Sequence, residues 1–110
     1  MGRKIAITGM GIISSIGHNV EENFISLQSG KHGISDIELF KTRHAGTIKT
    51  GEIKLSNEDL IRQLGLPEDN NLTRTALLGI WAAREAVEKA GISDMNEYRT
   101  GLISSTSVGG

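Results

Sequence analysis

The segment ALLGIWAA, residues 76–83, constrains the fold of this 110-residue chain more than any other part of the sequence. It lies within a predicted helix over residues 72–90, whose spacing indicates a core stripe of Leu72, Ala76, Ile80, Ala83, Val87 and Ala90. Leu77, Leu78 and Trp81 fall outside that stripe, so the helix is apolar nearly all round. Such a helix must be buried on most of its sides.

A single domain of 110 residues seldom buries a helix on every side, and a hydrophobic content of 37% allows only a modest core. In mid-helix, Gly79 costs about 1 kcal/mol relative to alanine, so we expect another backbone to approach closely there. Residues 98–110, YRTGLISSTSVGG, predict a strand that runs into a glycine-rich loop. We therefore expect a fragment of a larger protein, which self-associates when isolated because its apolar helix and strand edges are exposed.

A helix near the start is predicted from its cap. Asn19 with Glu22 resembles a capping box, and Gly30 ends the run. Three apolar residues recur at helical spacing between them: Val20, Phe24 and Leu27. We expect this amphipathic helix to pack its apolar face on the first strand of the chain.

A second short helix is predicted over residues 56–64. Ser56 caps it, Asp59 lies in its first turn and Gly65 ends it. Residues 48–53 are the expected strand within an otherwise loop-like region, residues 31–55.

The opening segment, with its sequence ITGMG, raises the question of a nucleotide-binding loop. Residues 5–7 predict a short buried strand, and Gly9 and Gly11 provide the first two glycines of the G-x-G-x-x-G pattern. Ser14 occupies the third glycine position, and Asp36, near the distance expected for a ribose-binding acid, follows no strand-like run. An NAD(P)-binding oxidoreductase is therefore a disfavoured alternative. We interpret both glycines as residues of a sharp turn after the strand.

Composition excludes several classes of site. A formal charge of -1 gives no electrostatic reason to expect a nucleic acid or an anionic membrane as partner. The sequence has no cysteine, which excludes disulfides and a thiol nucleophile within these residues. His18, His32 and His44 match no catalytic motif, so we expect them to be exposed to solvent. No segment is long enough to span a bilayer, and a cytoplasmic location is the default expectation.

Three groups of residues carry a resemblance to a known family. They are Thr8-Gly9-x-Gly11 with Ser14-x-x-Gly17, Ser29-Gly30 with Gly33-Ile34, and the terminal Ser107-Val108-Gly109-Gly110. Together they make the chain similar, over essentially its whole length, to the start of a freestanding (type II) β-ketoacyl-[acyl-carrier-protein] synthase. The segment IISSIG resembles the freestanding type rather than the modular polyketide type.

This resemblance implies a partial thiolase-like α/β fold, with residues 1–110 as the N-terminal part of the first half of an α-β-α-β-α sandwich. It implies a homodimeric acyltransferase of fatty-acid or polyketide synthesis, which condenses an acyl thioester with malonyl-carrier protein. Acyl-carrier protein is the implied partner, and neither a cofactor nor a metal is implied. The family's catalytic cysteine and two histidines belong to motifs beyond Gly110, so no catalytic residue is assigned here. A non-catalytic, chain-length-factor-like subunit that shapes an acyl cavity is the main alternative.

One stretch of the chain is implied to lie near substrate. By resemblance, Val108 takes the place of a residue that lines the acyl channel near the family's dimer interface, with Ser107 and Gly109 beside it. Valine is one methylene smaller than the isoleucine common there, which implies a slightly roomier channel. The alternative is that Val108 is an ordinary core residue at the end of a strand.

Two departures from the family pattern limit these implications. Before the apolar helix the chain reads GLPEDNNLT, with Glu68 and Asp69 in place of a basic run and Thr73 in place of an aspartate. Docking of the carrier protein at this corner is therefore not expected. Ser15 replaces a common proline, and the predicted turn tolerates this change.

We predict that the chain alone forms no thioester with an acyl group, because it has no thiol nucleophile. Incubation with a labelled acyl-carrier protein, followed by denaturing electrophoresis, is expected to leave the chain unlabelled. A covalent acyl adduct that survives denaturation would contradict this expectation.

Overall fold

A computed structural model describes residues 2–108 as an α/β arrangement of three helices and one two-stranded antiparallel sheet. The elements follow in the order α1 (Val20–Gln28), β1 (Ser35–Asp36), β2 (Lys49–Thr50), α2 (Asn57–Leu64) and α3 (Arg74–Lys89). In the sheet, Ser35 pairs with Thr50 and Asp36 pairs with Lys49. The α/β class expected from the sequence is confirmed at this level.

Local capping sets the helix ends. The side chains of Asn19, Ser56 and Thr73 each accept a hydrogen bond from the backbone N–H three residues later, at 2.8, 3.0 and 3.2 Å. Each helix is followed by a left-handed glycine with a φ of 68°: Gly30, Gly65 and Gly91. The three predicted helices are confirmed, with ends that differ by at most two residues.

The apolar core of the described residues lies between α2 and α3. Leu60 of α2 and Leu77 of α3 are fully buried. The predicted stripe on α3 is wrong in part, because Leu72 and Ile80 are 38% and 37% exposed while Leu77, placed outside it, is buried. A helix that is apolar all round does not indicate which side its neighbour covers. The expected close contact at Gly79 is not found within residues 2–108, since nothing lies within 4 Å of a Cβ built there.

The backbone of residues 9–11 lies directly against α3. A Cβ atom at Gly9 would overlap the carbonyl oxygen of Ala86, and one at Gly11 would overlap that of Ala82. Neither glycine has a positive φ. The interpretation of Gly9 and Gly11 as turn residues is therefore wrong. Glycine is required at both positions because the backbone packs closely on a helix.

The strands predicted at residues 5–7 and 98–110 are not formed within the described residues, which exclude 109–110. Their leucine and isoleucine side chains are at least 82% exposed: Ile5, Ile7, Leu102 and Ile103. A strand needs a neighbour to bond its backbone groups, and neither segment has one in the sheet of residues 2–108. The strand predicted at 48–53 shortens to β2, whose partner β1 lies in a segment predicted as loop.

Helix α1 buries its polar side. Asn23 and Ser26 are each 5% exposed, whereas Phe24 and Leu27 are 58% and 69% exposed. The expected packing of the apolar side on the first strand is therefore wrong for the described residues. The physical reason is that this strand is not formed, while a turn near α1 offers backbone groups that need hydrogen-bond partners.

The chain exposes more surface than a compact protein of its size. Its accessible surface is 8999 Å², whereas a folded monomer of 11.8 kDa is expected to expose about 5,900 Å². Its radius of gyration is 16.6 Å, compared with about 13 Å for a compact domain of similar length. The described residues thus form an open arrangement in which many apolar side chains lack a cover.

Polar side chains connect the segments that flank the two-stranded sheet. The Glu52 carboxylate accepts hydrogen bonds from the backbone N–H groups of Glu38 and Leu39, at 2.9 and 3.1 Å, and from the Lys54 ammonium at 2.8 Å. The bond from Lys54, followed by that from the Glu38 N–H, lowers the pKa of Glu52 from 4.5 to about 2. This carboxylate therefore ties the segment that follows β2 to the loop after β1.

Arg74, the first residue of α3, fixes the connection between β2 and α2. Its guanidinium donates to the carbonyl oxygens of Ile53 and Leu55 and to the side-chain oxygen of Asn57, each at 2.9 Å. The position of α3 therefore determines where this connection lies.

We predict that Gly11→Ala destabilises the chain by about 2 kcal/mol or more, because the added methyl group displaces the loop from α3. Gly101→Ala is the matched control, since a Cβ at Gly101 meets nothing within 4 Å. Urea unfolding followed by circular dichroism measures both variants. Equal unfolding midpoints for the two would argue against the close contact.

We predict that the Glu52 carboxyl titrates with a midpoint of about 2. Because its pKa is lowered from 4.5, the carboxylate stabilises the fold above pH 4.5, and this contribution disappears as the pH falls from 4.5 through 2. An NMR titration of the carboxyl carbon measures the midpoint. Lys54→Gln is expected to raise it, since Lys54 is the main cause of the shift. A wild-type midpoint near 4.5 is the contrary result.

Candidate functional site

The turn formed by residues 14–17 is closed by its own backbone and docked on α1. The N–H of Ser14 donates to the carbonyl of Gly17 at 2.8 Å, and the reverse bond measures 3.4 Å. The Asn23 side chain donates to the Gly17 carbonyl at 2.9 Å and accepts a bond from the Ser14 hydroxyl. The Ser26 hydroxyl donates to the carbonyl of Ile16 at 2.6 Å. The two buried polar residues of α1 therefore find their partners in this turn.

Further glycines allow the chain to close around the turn. A Cβ at Gly17 would lie 2.6 Å from the backbone nitrogen of Asn23, and one at Gly33 would overlap the side chain of Ser15. Ser15 also lies near Gly51, with its hydroxyl oxygen 3.1 Å from the place of a Cβ there. The predicted turn thus forms with serine in place of the common proline.

Glu85 of α3 anchors the chain on both sides of this turn. Its Oε2 accepts the N–H of Ile12 at 3.0 Å, and its Oε1 accepts the N–H of Val20 at 2.9 Å. Val20 is the first residue of α1, where free N–H groups and the positive end of the helix dipole favour a carboxylate. One side chain therefore joins the segment before the turn and the helix after it to α3.

Trp81 makes a second connection between α3 and the rest of the chain. Its indole N–H donates to the carbonyl of His18 at 2.7 Å, and the two rings meet edge to face with centroids 6.4 Å apart. Arg84 lies 5.4 Å from the indole centroid and donates to the carbonyl of Gln63, near the end of α2, at 2.9 Å. His18 is half-buried here, so the expectation that it is exposed to solvent is wrong.

A cleft of about 610 Å³ lies between residues 7–10, α1 and α3. Its apolar lining comprises Ile7, Met10, Val20 and Phe24. The carboxylates of Glu21 and Glu85 and the ammonium of Lys89 supply its charges. Two carboxylates facing one ammonium disfavour the pyrophosphate of a dinucleotide, which agrees with the packing role of Gly9 and Gly11.

His32 and His44 lie on the exposed surface of the described residues. His32 accepts the N–H of Ile34 at 3.3 Å, and both His32 and His44 are exposed, as expected. Among residues 2–108 no group of three or more His, Asp or Glu side chains is placed to hold a metal ion. Hydrogen bonds of Glu85 and Trp81 connect the segments around the turn to α3.

The residues predicted to line an acyl channel lie apart from this framework. Ser107 and Val108 follow the exposed segment after α3, and the side chain of Val108 is 92% exposed. Gly109 lies outside the described residues. The channel role of these three residues stays a prediction.

Sequence reasoning missed Glu85, Arg74 and Asn23 as anchors. A signal for the first two exists, because they are eleven positions apart, about three helical turns, and so lie on the same side of α3. Charged residues that recur on one side of an otherwise apolar helix indicate buried hydrogen bonds there. Nothing local in the sequence distinguishes Asn23 from an exposed asparagine.

Curated relatives align over almost the whole chain. It is 35% identical over 114 residues to 3-oxoacyl-[acyl-carrier-protein] synthase 1 of Haemophilus influenzae and 38% over 106 residues to synthase 1 of Buchnera aphidicola. It is 29% identical over 110 residues to synthase 2 of Vibrio cholerae. These alignments cover 97%, 93% and 98% of this chain but only 26%, 25% and 26% of the relatives. The chain therefore spans about a quarter of the length of the curated relatives it matches.

No solved structure matches the chain significantly. Within residues 2–108 no helix combines the length and the apolar character needed to cross a membrane. The sequence profile described as "Beta-ketoacyl synthase, N-terminal domain" matches residues 2–110. Since that match takes in all but the first residue, the chain belongs to the β-ketoacyl synthase N-terminal domain family.

Proposed function

We propose that residues 1–110 are the N-terminal part of a 3-oxoacyl-[acyl-carrier-protein] synthase with a thiolase-like fold. The observation that carries this proposal is the alignment of relatives named for that activity over nearly the whole chain. The longer enzyme is an acyltransferase of fatty-acid or polyketide synthesis. Its cellular location is the cytoplasm.

The proposed reaction is a decarboxylative condensation. An acyl group is held as a thioester on a cysteine, and malonyl-carrier protein loses carbon dioxide to give a carbanion. The carbanion attacks the thioester carbon, a new carbon–carbon bond forms, and the cysteine leaves as thiolate. Hydrogen-bond donors must stabilise the oxyanion that develops at the attacked carbonyl. This chain has no cysteine, so the thiol is supplied by another part of the enzyme.

The role of the present residues in that enzyme is to build a rigid framework. Glu85 and Trp81 tie the first turn and α1 to α3, and Arg74 ties the sheet region to the same helix. Reactive groups need a support that holds their positions to within a fraction of an ångström. A framework fixed by these hydrogen bonds meets that need without contributing a catalytic residue.

Acyl-carrier protein, bearing acyl and malonyl thioesters, is the proposed partner, and the enzyme is proposed to be a homodimer. Docking is not proposed at the corner between α2 and α3, where Glu68 and Asp69 are both exposed. Two carboxylates there replace the positive charge that the resemblance leads one to expect.

The proposal is tested with the longer protein that contains this sequence. Mixed with acyl-carrier protein and malonyl-carrier protein, it is expected to release carbon dioxide and form a 3-oxoacyl product. A folded protein that gives no condensation and no acylated cysteine would instead be a non-catalytic subunit that shapes an acyl cavity.

We predict that Val108→Phe in the longer enzyme shortens the acyl chains it accepts. The larger side chain fills part of the channel, and each methylene no longer accommodated is worth about 0.8 kcal/mol, or roughly fourfold in kcat/KM. Transfer of the shortest primers is expected to stay nearly unchanged, and Val108→Ile is the conservative control. The measurement is kcat/KM against chain length beside a melting curve. An equal loss at every length with a lower Tm would make Val108 an ordinary core residue.

A further inference from the structure

The loop between β1 and β2 carries exposed positive charge. We call residues 39–48 the basic loop, because they include Lys41, Arg43 and His44 but no aspartate or glutamate. All three of these side chains belong to exposed residues. Within the described part of the chain, neither Lys41 nor Arg43 forms an ion pair. The basic loop therefore presents a lysine and an arginine to solvent without a compensating carboxylate.

Hydrogen bonds give the basic loop a defined shape. The carbonyl of Thr42 accepts the N–H of Ala45 at 3.3 Å, and the Thr42 hydroxyl accepts the N–H of His44 at 3.2 Å. The carbonyl of His44 in turn accepts the N–H groups of Thr47 and Ile48, each at 3.0 Å. A loop that is already ordered loses less conformational entropy when a partner binds.

Ion pairs fix the base of the basic loop. Lys49 pairs with Asp36, its diagonal partner in the sheet, at 2.6 Å. Lys54 pairs with Glu52 at 2.8 Å and with Glu38 at 3.1 Å. None of these ion pairs includes a residue of the loop itself. The carboxylates at the base therefore have their own lysines and leave the charges of the loop unpaired.

The small number of charges favours a protein partner over a nucleic acid or a membrane. A protein that holds duplex DNA by its charges makes on the order of 6–10 phosphate contacts. Recognition of anionic lipids takes a cluster of about 4–8 lysines and arginines. The formal charge of the chain, -1, adds no attraction for either polyanion. Within a protein–protein interface, by contrast, a few charges steer the partner and fix its register.

We propose that the basic loop is a docking element for an acidic face of acyl-carrier protein. The inference rests on the proposed function in one respect, because that function supplies the carrier protein as partner. At the corner between α2 and α3, Glu68 and Asp69 repel an acidic face, whereas Lys41 and Arg43 attract it. Charged side chains without a partner are costly to bury, so these two stay at the surface of the longer synthase.

The test measures binding of labelled acyl-carrier protein to the longer synthase by fluorescence anisotropy. Lys41→Glu combined with Arg43→Glu is expected to raise Kd roughly tenfold at about 50 mM salt. The difference is expected to shrink at about 500 mM salt, where exposed charges are screened. The matched control is Lys31→Glu combined with Arg62→Glu, which changes the net charge equally at two exposed residues outside the loop. An equal loss of binding in both double variants would assign the effect to net charge and overturn the proposal.

A neutral variant keeps the test decisive if the charge reversal disturbs folding. Lys41→Gln combined with Arg43→Gln is expected to raise Kd roughly threefold with an unchanged Tm. An unchanged Kd contradicts the proposal, as does a wild-type synthase that does not bind the carrier protein. Loss of binding to duplex DNA or to anionic vesicles, with Kd for the carrier protein unchanged, would assign the loop to one of those partners instead.

Docking and condensation can fail separately in these measurements. In an active synthase, the charge reversal is expected to raise KM for acyl-carrier protein and leave kcat nearly unchanged. The same acyl group on a small-molecule thiol is expected to react equally well with wild type and variant. A synthase that binds the carrier protein through the loop but does not condense would remove the proposed function and keep the docking element. An active synthase with an unchanged KM would do the reverse.

Discussion

The contact between the backbone of residues 9–11 and helix α3 is the constraint on which the other connections depend. Glycine on one side and alanine on the other let two backbones meet where any larger pair would hold them apart, as Gly11 against Ala82 shows. Only at this distance does the Glu85 carboxylate reach the N–H groups of Ile12 and Val20. Close packing therefore comes first, and the hydrogen bonds that fix α1 follow from it.

Polar groups hold together a chain that buries little apolar surface. Leu60 and Leu77 are its two fully buried hydrophobic side chains among the described residues. Asn23 and Ser26 are also buried, and both form hydrogen bonds with the turn of residues 14–17. Buried polar groups with good partners specify one geometry, because any displacement leaves a donor or acceptor unpaired. The position of α1 is thus well defined even though its apolar side, with Phe24, has no cover.

The helices could be predicted from the sequence because their ends are decided locally. Asn19 and Ser56 each bond a backbone group three residues away, and such signals are contained in short segments. Strands are different, since Ile7 and Ile103 lie in strand-like segments that need partners distant in sequence. The buried side of α3 could not be predicted either, because whether Leu77 or Ile80 is buried depends on where α2 lies. Of the candidate site, the turn was predictable, but Glu85, which joins its flanks to α3, and Arg74, which fixes the connection before α2, bond groups in other elements.

Four glycines of the family pattern are explained by packing rather than by chemistry. Gly9 and Gly11 lie against α3, Gly17 lies against α1, and Gly33 lies against Ser15, and at each of them a Cβ would collide with its neighbour. A motif made of such contacts persists wherever the framework persists, with or without a reactive centre built upon it. Family membership is shown by the match over residues 2–110, whereas the activity proposed for the longer protein needs a thiol that this chain does not contain. The framework seen here and the condensation proposed for the longer protein are therefore separate properties, and each requires its own measurement.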